Sequence, residues 1–213
     1  MDYSELQNKT KDKIIESAFN LFSSKGIHNV SIVQIANESE VGVASIYRYF
    51  GTKKTIINNC ANYVWKKMAT ILENTTSSKE FINLSGIDKI EKLLNLFIML
   101  YMEKTDYLKY ISEYDAYLAQ EELSAEEKTL YNKNFLLFRI IAEMFYNEGI
   151  NDETIRDDID FETFYYSITR ALLDVSMKGA NSPILIETDN VVSIDKQLKQ
   201  LISMAIFYCK KGD

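Results

Sequence analysis

A chain of 213 residues with one proline and seven glycines offers few points at which a helix must end. Long helices are the natural result. Strand signals are correspondingly scarce, since Val191-Val192 and Ile184-Leu185-Ile186 are short and isolated. The chain is therefore expected to be all-α, with about nine or ten helices and no repeat of fixed period. Because 46% of its residues are hydrophobic, it can bury a real core as one large domain or two small ones.

The most informative stretch runs from Ser31 to Lys53 and reads as two short helices joined by a tight turn. Ser31 and Gln34 have the spacing of a capping box, so a helix should start at Ile32. Ile32, Ile35 and Ala36 form one apolar face. Val41-Gly42 interrupts this pattern, and glycine there would supply the positive φ that a sharp turn often needs. A second helix follows, from about Val43 to Phe50. Ile46 and Phe50 point inward, which leaves Val43, Ala44, Ser45, Tyr47, Arg48 and Tyr49 on or near the outer face. Small residues let a backbone approach a surface, hydroxyls suit phosphate oxygens, and arginine can read guanine or clamp phosphate. Taken alone, these residues fit either a DNA-reading helix pair or an ordinary helical hairpin.

Ser31, Ile35-Ala36, the run from Val41 to Phe50 and Lys53 together resemble the helix-turn-helix of the TetR family of bacterial transcriptional regulators. The resemblance covers about residues 10 to 55. It implies a three-helix DNA-binding head over residues 1–52, a connecting helix over 53–72 and a ligand-binding, dimerising body over 73–213. It also implies that Ser31, Ser45, Tyr47 and Lys53 hold phosphates while Val43, Ala44, Arg48 and Tyr49 stand closest to base edges. Two departures stand out. Ser39-Glu40 replaces the usual Ala-Gly before the turn, and Ala44 replaces a common glycine.

The net charge of −7 looks wrong for a DNA-binding protein until it is divided along the chain. Residues 1–67 hold nine basic and six acidic groups, a balance of +3, so the remainder carries −10. Such a division suits a head that meets DNA on a body that DNA repels. Cys60 and Cys209 lie inside apolar helical patterns, and two unpaired thiols point to a reducing cytoplasm. No signal peptide and no apolar run long enough to span a membrane is read, so no membrane partner is expected. The lone His28 and two distant cysteines cannot make a zinc site. With no nucleophile–base set, metal spacing or glycine-rich phosphate loop, neither an enzyme nor a cofactor is expected.

Two helices near the end, Phe161 to Lys178 and Ile194 to Lys211, carry wide apolar faces. Phe164, Ile168, Leu172 and Val175 form one stripe, and Leu198, Leu201, Ile202 and Ala205 fall on the other. Periodicity alone allows complete burial within one subunit. The resemblance implies instead that these helices form a four-helix dimer interface, placing two heads on half-sites of a pseudo-palindromic operator. Tyr107, Tyr110, Tyr114 and Tyr117 share one helix face. Every buried hydroxyl needs a partner, so with Trp65, Tyr101, Phe138 and Tyr165 they suggest a cavity for a hydrophobic or aromatic inducer. Glu113, Glu143 and Asp174 would favour a lipophilic cation there, whereas plain core packing is the simpler alternative. The reading is a repressor released from double-stranded DNA by a small molecule; a DNA-bound adaptor governed by a protein partner is the alternative.

Overall fold

The computed structural model describes residues 3–121, 124–181 and 191–212. They form ten helices, α1 (Tyr3–Lys25), α2 (Ile32–Ser39), α3 (Val43–Phe50), α4 (Lys53–Thr76), α5 (Lys79–Ile82), α6 (Gly86–Glu103), α7 (Thr105–Leu118), α8 (Ala125–Asn151), α9 (Phe161–Asn181) and α10 (Ile194–Cys209). The all-α expectation holds. Among the described residues the β pairing is a single bridge between Ile155 and Lys210, and no helix is long and apolar enough to cross a membrane. The Ile184–Ile186 segment lies outside the described residues.

The chain divides into two compact units, residues 1–68 with 109–127 and residues 69–108 with 128–213. Helices α4 and α7 each contribute residues to both. In the first unit, α1 begins at Tyr3, ahead of its apolar pattern, with no breaker between, and Thr10 Oγ1 donates to the Leu6 carbonyl at 2.9 Å. Its inner face, Ile14, Ile15, Ala18, Phe19 and Phe22, is buried. Ile35 and Ala36 of α2, Ile46 and Phe50 of α3, and Ile56, Ile57 and Cys60 of α4 are also buried in this unit. Gly26 ends α1 with φ +84°, as a left-handed cap.

The capping box at α2 is present. Gln34 N donates to Ser31 Oγ at 3.3 Å and Ser31 N donates to Gln34 Oε1 at 2.7 Å. The turn after α2 differs from expectation. Gly42 is extended, with φ −60° and ψ 140°, and the positive φ of 53° falls on Glu40. Val41 N donates to the Ala36 carbonyl and Glu40 N to the Asn37 carbonyl. That pair of bonds is a Schellman closure, which requires its left-handed residue directly after the last helical one.

In the second unit α6, α9 and α10 pack on one another around Ile90, Leu94, Leu172, Leu198 and Ile202, with Phe81 and Phe145 completing the cluster. Gly149 lies inside α8, which runs on to Asn151. The glycine there permits a close approach. A Cβ at Gly149 would overlap the Ile155 side chain, and one at Gly86 would overlap the Gly149 backbone. The left-handed residue after α8 is Glu153, with φ 62°. Gly179 likewise lies inside α9 rather than past its end, with Tyr101 and Ile194 where its Cβ would be.

Candidate nucleic-acid interface

Helix α3 is two turns long, opened by Gly42 and closed by Gly51. Ile46 and Phe50 anchor it to the core. Ala44, Tyr47 and Arg48 are exposed, and Val43, Ser45 and Tyr49 are half-buried beside them. The outward face therefore has the composition the spacing implied, small at its start and hydroxylated and basic at its end. Gly42 contributes no side-chain cap, so the first amides of α3 keep free donors that suit an anion.

Arg48 and Tyr49 act as a unit. Arg48 Nη2 donates to the Tyr49 hydroxyl at 3.3 Å, and its guanidinium carbon lies 5.0 Å from the ring centre. Lys11 of α1 brings a second cation to 5.9 Å from the same ring. Lys11 was not singled out from the sequence, because nothing in its spacing connects it to α3. Such stacking restrains a long side chain before any ligand arrives, which lowers the ordering cost of an arginine–base contact.

Lys53, at the first position of α4, is half-buried. Its Nζ donates to the Ile27 carbonyl at 2.6 Å and lies 5.9 Å from the Phe22 ring centre. Burial lowers its pKa. An ammonium has three donors, so two remain for a phosphate. The Ile27 amide donates in turn to Glu113 Oε2 at 3.0 Å, so Ile27 is held on both sides. Ser31 is exposed at the start of α2, and its hydroxyl also bonds Gln34 Oε1 at 3.0 Å.

Glu40 is paired with Lys13 of α1 at 2.6 Å. The hydrogen bond from Lys13, with its charge, lowers the Glu40 pKa. Ser39 is buried, and its hydroxyl donates back to the Ile35 carbonyl at 2.7 Å. The Ser39-Glu40 pair that stands where Ala-Gly is usual is thus accommodated locally.

The residues expected to line one inducer cavity are divided between the units. Trp65, Tyr110 and Tyr114 belong to the first, and Tyr101, Tyr107, Phe138 and Tyr165 to the second. Tyr110 is packed against Phe19 and Phe22, its hydroxyl donates to the Ile57 carbonyl at 2.6 Å, and burial raises its pKa well above the usual value. Tyr114 donates to Asn58 Oδ1 at 3.0 Å. These tyrosines are core residues whose hydroxyls find partners on α4, a pairing that periodicity cannot reveal. Tyr165 stacks on Phe161 at 5.7 Å. A cavity of about 330 Å³ does exist in the second unit, but Thr76 at the end of α4 and residues of α5, α6 and α8 line it, including Lys89 and Glu148.

The stripe expected at an interface is divided between core and half-buried positions. Leu172, Leu198, Ile202 and Ala205 are buried in the core of the second unit, and Phe164, Ile168, Val175 and Leu201 pack against it. The outward face of α10 is Met204, Phe207 and Tyr208, all exposed.

Residues 14–60 match the family model of bacterial regulatory proteins, tetR family. The chain is 37% identical over 87 residues to the Probable HTH-type transcriptional regulator YttP of Bacillus subtilis, covering 41% of this chain and 40% of that one. It is 38% identical over 88 residues to IcaR of Staphylococcus aureus, a negative regulator of a biofilm operon, covering 41% and 45%. The chain thus spans less than half the length of either relative. A Saccharomonospora viridis protein solved in complex with choline shares the fold, with a TM-score of 0.71 at 18% identity over 92% of this chain and 96% of that one.

Proposed function

We propose that this chain, a member of the TetR family of bacterial regulatory proteins, is a sequence-specific transcriptional repressor. In this reading it binds a pseudo-palindromic operator as a homodimer in the cytoplasm and is released by a small hydrophobic or aromatic molecule. The observation that carries DNA binding is the outward face of α3, with Tyr47 and Arg48 exposed and Arg48 pre-stacked on Tyr49. Two such helices about 34–36 Å apart would enter successive major grooves. Ser31, Ser45, Tyr47 and Lys53 are the phosphate anchors, and Val43, Ala44, Arg48 and Tyr49 the readers.

Dimerisation is assigned to the face of α10 bearing Met204, Phe207 and Tyr208. A phenylalanine ring left 85% exposed is hard to account for in an isolated subunit and suits a second copy. Repression draws support from the negative regulator among the relatives, and small-molecule release from the choline complex among the structural neighbours. Release would be a population shift, in which ligand favours a body whose heads no longer match the groove spacing. Helix α4 begins at Lys53 and has residues in both units, so it is the natural lever. An adaptor governed by a protein partner needs no interior space, and the cavity of about 330 Å³ favours the small-molecule reading.

The operator is obtained by selecting genomic fragments on the purified protein, and the assignment is tested by titrating variants against it. Lys53→Ala and Tyr47→Phe should weaken binding to all sequences, with Lys53→Ala reducing the salt slope by about one. Arg48→Ala should change which base is preferred. If all three bind as the parent does, α3 is not the reading helix.

A further inference from the structure

The cavity in the second unit has an unusual wall. Lys89 is only 8% exposed, although it is a lysine on the otherwise apolar inner face of α6. Its ammonium is 2.5 Å from Glu148 Oε2 and 5.5 Å from the Phe145 ring centre. The rest of the lining is largely apolar, from Phe81 and Ile82 of α5 to Ile141 and Met144 of α8. Ile82 is 59% exposed and Met144 49%, so the cavity opens to solvent along an apolar lip.

The two partners of this ion pair are unequal. The Lys89 side chain is 10% exposed and that of Glu148 is 42% exposed. A buried charge needs a counter-ion, whereas a carboxylate at the surface can turn into water at little cost. An incoming carboxylate can therefore replace Glu148 on Lys89, and two further N–H donors of the ammonium are available to hold it. A volume of about 330 Å³ is at the lower end of the range of small-molecule sites. We propose that this cavity binds a medium-chain carboxylate amphiphile, with its carboxylate on Lys89 in place of Glu148 and its alkyl chain along Phe81, Ile82, Ile141, Met144 and Phe145.

That this ligand is the inducer rests on the regulatory reading above; the binding itself does not. Calorimetric titration of the full chain without DNA, using decanoate, decanol and decyltrimethylammonium below their micelle concentrations, tests it. Saturable decanoate binding is expected, at least tenfold tighter than either of the others. Lys89→Met, which keeps the volume, should remove the preference for decanoate over decanol. Ile82→Glu, at the exposed lip, should weaken decanoate at least tenfold without touching the core, and it carries the test if Lys89→Met does not fold. Equal binding of decanol and decanoate, unchanged decanoate binding in Ile82→Glu or in folded Lys89→Met, or no saturable heat would each overturn the site. A chain that binds decanoate yet holds its operator unchanged would keep the site and refute the inducer role alone.

Discussion

In the first unit the large aromatic rings of the core face inward. Phe19, Phe22, Tyr110 and Tyr114 are at most 6% exposed, and the surface offered by α3 is small, hydroxylated and basic. In the second unit Phe207, Met204, Ile82 and Met144 remain outside. The ion pairs differ in the same sense. Lys13–Glu40 is open to water on both sides, whereas Lys89–Glu148 buries its cation. The first unit leaves only scattered apolar side chains such as Leu6 and Val33 outside, and the face proposed to meet DNA is polar. The second has apolar surface that a second copy and a ligand would cover. The proposed association surfaces are thus drawn from exposed apolar side chains and not from the apolar stripes of the sequence.

The sharpest way to break this contrast is a pair of phenylalanine substitutions. Phe22→Ala should destabilise the fold by about 3–5 kcal/mol, since the ring is fully buried and leaves a cavity. Phe207→Ala should leave the stability of a subunit within about 0.5 kcal/mol. Phe207→Asp, however, should shift the proposed dimer to monomer in sedimentation at micromolar concentration. A dimer that survives Phe207→Asp would place the interface elsewhere.

The close approach of α8 to Ile155 gives the next effect. Gly149→Ala should cost about 1–3 kcal/mol by overpacking, measured by denaturant unfolding, although alanine is otherwise the better helix former. If it stabilises instead, Gly149 is an ordinary helix residue.

The smallest effect concerns the exposed ion pair. The Glu40 pKa is lowered by Lys13, so its contribution is present above the usual carboxylate range and lost as pH falls through the folded value. Glu40→Gln should therefore lower the melting temperature slightly at neutral pH and hardly at all in acid. It should also strengthen binding to every DNA sequence by removing a negative charge. Unchanged DNA affinity would show that Lys13 already neutralises Glu40 on that face.

Much of the head was legible in advance because its signals are local. The Ser31–Gln34 box and the Ile46 and Phe50 anchors act within a few residues of where they stand. The cavity was not legible, because Lys89 and Glu148 are 59 residues apart and meet only when α6 packs beside α8. A trace did exist: a lysine among the apolar positions of α6 is a buried cation waiting for a partner. The tyrosine face of α7 was recognised as needing partners, but the Ile57 carbonyl and Asn58 lie on α4 and no spacing points to them.

By itself the sequence determined the all-α class, the helix pair, and the inward and outward sides of α3. These follow from breakers, caps and periodicity, which act along the chain. Only the tertiary structure decided which side of an apolar helix is core and which is surface, because a wide stripe fits either until its neighbours are in place. It assigned Leu198, Ile202 and Ala205 to the interior and left Phe207 outside. It also moved the positive φ from Gly42 to Glu40, where the closing hydrogen bonds of α2 require it.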